Sequence, residues 1–105
     1  MEISELRQLL RKYGALDNEY RLKAVLLIYE KPGISFNELA RELGIERGLL
    51  AYHLGVLKAT NLITMNPRRE GRKLSHYRLT EEGRKFIEDL LSNFKRFQKI
   101  NYNKK

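Results

Sequence analysis

The chain has 105 residues, 42% of them hydrophobic, with 21 Lys and Arg against 13 Asp and Glu and a formal net charge of +8. That length supports one small core and not two, and the absence of cysteine excludes disulfides, thiol redox chemistry and thiolate metal sites. The longest apolar run, Ala24 to Tyr29, is too short to span a bilayer; Met1 to Leu10 is charged and lacks a small-residue cleavage pattern, so a soluble, cytoplasmic protein without a membrane partner is expected.

Ile3, Leu6, Leu10 and Tyr13 recur at steps of three and four, which predicts an amphipathic helix over Glu2 to Tyr13, ended by Gly14. Asp17 or Asn18 can cap the next helix, Glu19 to Glu30, whose apolar residues run nearly all the way round. Such a helix belongs at the centre of the core or at a subunit interface. Lys31-Pro32-Gly33 is a break. Ser35, with Glu38 three residues on, forms a capping box for a short helix with Phe36, Leu39, Ala40 and Leu43 on one face. Gly44 stops it. Glu46 or Arg47 opens another helix, with Leu50, Leu54 and Leu57 as its core face, ending near Ala59 to Asn61.

Leu62 to Asn66 and Leu74 to Leu79 predict the two strands of a hairpin, turning at Glu70-Gly71. Alternation puts Tyr77 and Leu79 inward and His76 and Arg78 outward. Thr80 caps a final long helix, with Glu81 and Glu82 at its positive end and Phe86, Ile87, Leu90, Leu91, Phe94 and Phe97 on a broad apolar face. The fold class is therefore mainly α with a small β-hairpin. One domain, 1–105, divides into an N-terminal helix (1–17), a core (18–80) and a C-terminal helix with a basic tail (81–105).

The positive charge is placed unevenly. Arg68, Arg69, Arg72 and Lys73 surround the hairpin turn, opposed only by Glu70. A solvated turn gains nothing from four clustered cations, whereas a phosphate backbone removes their mutual repulsion and releases counterions. The excess charge thus points to nucleic acid before anionic membrane. Past Asp89 no acidic residue remains, while Lys95, Arg96, Lys99, Lys104 and Lys105 follow; there a basic stretch also suits the negative end of a helix.

This ordered set of pieces resembles a winged helix-turn-helix domain of the ArsR/MarR-like transcriptional regulators, archaeal in type. The resemblance rests on YRLKAVLLIYEKPGIS, FNELARELGI, ERGLLAYHLGVLKATNLI, RREGRK and YRLTEEGRKFI, and covers about Asn18 to Leu90. It implies a recognition helix in the major groove of double-stranded DNA, with Arg47, Gly48, Ala51 and Tyr52 at the bases and Lys58 near the backbone. It brings Ser35 and Asn37 to phosphates and lays Arg68, Arg69, Arg72 and Lys73 along the minor groove or backbone. It further implies a homodimer built by the terminal helices through Leu6, Leu10, Phe86, Leu90, Phe94 and Phe97; the competing arrangement folds the first helix back over Phe94 and Phe97 within one chain.

The sequence departs from the family at Gly48, Ala51 and Gly55, where relatives usually carry polar residues. Only Arg47 and Tyr52 remain to read bases. The leading expectation is a dimeric DNA-binding transcriptional regulator; the small-residue face and the basic tail give weight to an alternative, a low-specificity architectural DNA binder similar to small archaeal winged-helix dimers, and the face alone to a second, a protein-interaction module. His53 is expected to be structural and His76 solvated or facing phosphate, so neither metal nor cofactor is expected. With two aspartates, Asp17 and Asp89, and no phosphate-cradling loop or nucleophile elbow, no enzyme is expected either.

Overall fold

A computed structural model describes residues 2–67 and 75–103. Five helices and three strands follow in the order α1 (Ile3–Leu16), α2 (Glu19–Glu30), β1 (Ile34–Ser35), α3 (Phe36–Leu43), α4 (Arg47–Ala59), β2 (Ile63–Pro67), β3 (Ser75–Leu79) and α5 (Glu81–Asn103). The strands form one antiparallel sheet in the order β1-β3-β2. The architecture is the expected winged helix with extra terminal helices.

α2 lies at the centre of the fold. Ala24, Val25 and Ile28 are fully buried on it, and they meet Leu39 of α3, Leu50, Leu54 and Leu57 of α4, Tyr77 of β3 and Ile87 of α5 in one core. Its start is set locally, because Asn18 Oδ1 accepts from the Arg21 amide at 3.1 Å. α3 starts the same way: Ser35 Oγ accepts from the Glu38 amide at 3.1 Å, while the Glu38 carboxylate lies 3.6 Å from Lys31 Nζ. Gly44 adopts the left-handed conformation, φ 62°, and its amide closes back on Ala40 and Arg41. The turn into α4 needs that geometry.

Three expectations are corrected. α1 runs through Gly14 to Leu16, because Ala15 and Leu16 are buried and that burial outweighs the cost of one helical glycine. The sheet has a third strand: Ile34 and Ser35 pair with Tyr77 and His76. Two residues are too few to show a period of two in sequence. His76 does not face solvent, since pairing with β1 brings its Nδ1 2.7 Å from the Gly33 carbonyl oxygen, and Nε2 is buried. Tyr77 is inward as expected. Pro67 is accommodated because β2 is an edge strand.

The junction of β3 and α5 is closed by one residue. The Thr80 hydroxyl donates to the Asn61 carbonyl at 2.7 Å and accepts from the Gly83 amide at 2.8 Å, and the Thr80 amide donates to the Leu62 carbonyl at 3.1 Å. α5 thereby starts hard against the end of α4. The approach is so close that a Cβ on Gly83 would fall 2.1 Å from the Leu62 carbonyl oxygen. Gly83→Ala is expected to destabilise the fold by about 2 kcal/mol or more, since backbone and not a flexible side chain must give way. Urea denaturation against wild type measures this.

Candidate nucleic-acid interface

α3 and α4 form the helix-turn-helix, and the outward side of α4 carries Arg47, Gly48, Ala51 and Tyr52, all exposed. Tyr52 is 62% exposed, the most prominent side chain of this face. Asn37 is exposed at the start of α3 and Lys58 near the end of α4, while Ser35 is half-buried. The Ser35 hydroxyl oxygen accepts the capping bond, which leaves its proton free to donate outward. The structure therefore brings Ser35, Asn37, Arg47, Gly48, Ala51 and Tyr52 onto the two helices of one motif. The wing residues Arg68, Arg69, Arg72 and Lys73 lie outside the described residues.

Arg47 is held within the protein. Its Nη1 donates to Asn37 Oδ1, and its guanidinium lies 4.9 Å from the centroid of the Phe36 ring. Two expected contact residues thus occupy each other, and α3 fixes the direction in which Arg47 points. Glu46, which sequence reasoning passed over, stands exposed ahead of α4, its carboxylate 3.4 Å from where a Gly48 Cβ would lie. A Cβ at Gly55 would meet nothing within 4 Å, so the fold does not require glycine there.

His53, expected to be structural, is buried beneath this face. Arg21 Nη1 donates to its Nδ1 at 3.1 Å, and Arg21 Nε donates to the Ala15 carbonyl at 2.6 Å. A guanidinium has no acceptor, so Nδ1 must be the unprotonated nitrogen and the imidazole neutral. Tyr20 and Tyr52 both pack against the ring, at centroid distances of 5.7 and 5.2 Å. Burial, and then the Arg21 charge, hold the imidazole below its ordinary titration range.

The terminal helices meet at one end only. The Lys12 ammonium lies 2.6 Å from Glu82 and, chiefly by that hydrogen bond, holds the carboxyl below the usual carboxylate range. Tyr13 packs edge-on against Phe86 at 5.0 Å. Away from this contact each helix presents exposed apolar residues. Leu6 and Leu10 of α1 are exposed, and Phe94 and Phe97 of α5 are 53% and 61% exposed; Phe86 and Leu90 are half-buried. α1 does not fold back over the two phenylalanines. Leu22, Leu26, Ile87, Leu90, Leu91 and Phe94 line a wholly apolar groove of about 290 Å³ between α2 and α5. Among the described residues no group of three metal-ligating side chains comes together, and no helix is long and apolar enough to cross a membrane.

A family model described as a winged helix DNA-binding domain matches residues 20–98. The chain belongs to that family. The family is one of DNA-binding domains. The HTH-type transcriptional regulator YdgJ of Bacillus subtilis is 27% identical over 82 residues, which are 78% of this chain and 50% of that protein. The chain therefore spans half the length of the curated relative it matches. HlyU from Vibrio cholerae superposes with a TM-score of 0.71 at 26% identity, covering 86% of this chain and 94% of that one. So does the homodimeric winged helix-turn-helix domain of Mb0332 from Mycobacterium bovis, a possible ArsR-family regulator, with a TM-score of 0.71 at 25% identity, covering 87% and 81%. The ArsR-like resemblance read from the sequence is thus met in structure.

The neutral His53 has a consequence for stability. Its folded-state pKa lies below the unfolded value, so the unfolded chain takes up the proton first. The contribution of this group is present above about pH 6.5, the unfolded value, and is lost as pH falls through the lower, folded one. Denaturation at about pH 7.5 and about pH 5.5 should show an acid-induced loss in wild type that is smaller in His53→Asn, whose amide oxygen keeps the Arg21 bond without titrating.

Proposed function

We propose that the chain is a DNA-binding transcriptional regulator that grips double-stranded DNA as a homodimer, with α4 in the major groove and the basic wing on the adjacent backbone or minor groove. The observation that carries this reading is the exposed face of α4, where Arg47, Gly48, Ala51 and Tyr52 stand uncovered beside α3 in a chain of net charge +8. Small residues at 48, 51 and 55 let the helix approach the bases closely, and the open space at Gly55 supports this, since the fold itself would tolerate a larger residue. Ser35, Asn37 and Lys58 serve the phosphates; Arg68, Arg69, Arg72 and Lys73 supply most of the electrostatic grip.

The dimer is built by the free ends of α1 and α5. α5 has 23 residues, about 35 Å of helix, and its apolar stripe continues through Phe94 and Phe97, both more than half exposed. The radius of gyration is 15.5 Å, against about 13 Å expected for a compact chain of this length. Leu6 and Leu10 offer a second stripe of the same kind. A two-fold pair buries both and sets two recognition helices about one turn of DNA apart. A low-specificity architectural role is the second reading, favoured by one observation: Arg47, one of two base-reading side chains, is already bonded to Asn37.

Duplexes selected from a random pool, titrated against a scrambled control, separate the two readings. Neutralising six to ten phosphates should reduce affinity roughly a thousand-fold or more between about 50 and 200 mM salt. Equal affinity for selected and scrambled duplexes would leave the architectural role. Arg69→Ala with Arg72→Ala should weaken binding to all sequences and flatten the salt slope by about two charges.

Phe94→Asp tests the pairing. Because Phe94 is already exposed on the single chain, the variant should fold, sediment as a monomer, and bind a palindromic duplex about a hundred-fold more weakly. An unchanged sedimenting mass would place the interface elsewhere.

A further inference from the structure

We infer that His53 is a positioning residue for DNA recognition: it transmits the placement of Arg21, at the junction of α1 and α2, to the exposed ring of Tyr52. This rests on the reading of α4 as the recognition helix and adds a residue that touches no DNA. Tyr52 projects from α4 with little of its surface covered. Its ring lies edge-on to the neighbouring imidazole at 5.2 Å. That imidazole is itself fixed by a bond from Arg21 Nη1 at 3.1 Å and by packing against Tyr20 at 5.7 Å. Arg21 cannot swing away freely, because its Nε is bonded to the Ala15 carbonyl and its backbone amide to Asn18. The chain of contacts therefore runs from a half-buried guanidinium through one buried ring to the side chain offered to the bases.

The link exists in one protonation state. The Arg21–His53 bond needs a lone pair on Nδ1. A proton added there would face a guanidinium hydrogen and turn attraction into repulsion. The groups facing the ring are Arg21 and Tyr20 from α2 and Tyr52 from α4 itself; α1 contributes the Ala15 carbonyl, which is taken by Arg21. Burial and the Arg21 charge are the two influences on its titration, and both favour the neutral ring. Acid therefore releases Tyr52, and DNA bound through Tyr52 must in turn favour neutral His53.

Affinity for the selected duplex, measured at constant ionic strength in wild type, His53→Asn and Tyr52→Ala, tests this. Wild type should lose affinity between about pH 7.5 and 5.5, by up to about fivefold for a one-unit difference in the pKa of His53 between free and bound protein, because the full tenfold is reached only well below both values. His53→Asn should be flat across that range, and Tyr52→Ala should bind more weakly yet be equally flat. His76 is common to all three proteins and cancels. A fall as large as that of wild type that persists in Tyr52→Ala would mean that His53 acts only through fold stability and would overturn the inference, as would wild-type binding that is unchanged or tightens with acid. A measurement without variants guards against poor folding of His53→Asn: NMR titration of the His53 ring should give a lower pKa in the duplex-bound protein than in the free one, and an equal or higher bound value overturns the inference. Wild type that binds no duplex even at low salt would instead remove the DNA-binding reading itself.

Discussion

A half-buried arginine holds the helical framework in register. Arg21 carries three bonds at once, through its amide to Asn18, through Nε to Ala15 and through Nη1 to His53. A guanidinium withdrawn from water is tolerated only when its donors are met. That requirement ties the end of α1, the start of α2 and the middle of α4 to one point. α2 then supplies the apolar surface on which α3, α4 and the sheet assemble. The direction in which α4 presents its outer face, and that in which α1 leaves the domain, follow from the same side chain.

The elements announced by local chemistry were legible in sequence. The bounds of α2, the Ser35 cap, the Gly44 stop and the Thr80 cap each depend on residues within four positions of one another, and each stands in the structure as read. What escaped depends on partners far apart in the chain. β1 exists only because β3 pairs with it, and His76 turns inward for the same reason, taking up the Gly33 carbonyl 43 residues away. The end of α1 was misplaced because Gly14 looks like a stop until Ala15 and Leu16 are seen to be buried. The bond between Arg21 and His53 spans 32 residues and leaves no periodic trace. His53 was legible as structural and not as positioned. The four wing cations lie outside the described residues, so the strongest charge signal in the sequence is carried into the functional reading from sequence alone.

The outer face of α4, the recognition face of the proposed function, is poorer in free polar groups than its exposure suggests. Arg47 is engaged by Asn37 and Phe36, and Gly48, Ala51 and Gly55 contribute backbone and little else. Tyr52 is then the one large uncommitted side chain of the face, a ring able to stack on a thymine methyl and a hydroxyl able to bond either a base edge or a phosphate. The balance of such a surface tilts toward shape and backbone contact. In the proposed mode of recognition the internal support of Tyr52 carries correspondingly more weight, because a single reading group that wandered would lose whatever selectivity it had.

The two-residue β1 and the proline that ends β2 bear on how copies of this chain can meet. Both edges of the three-stranded sheet are poor templates: one offers almost no length, and the other lacks an amide donor at Pro67. Strand addition between molecules is thereby discouraged, and the sheet stays available to the wing. In the proposed dimer self-association falls to the helical termini, and the surface that would join two molecules stays apart from the one proposed for a polyanion.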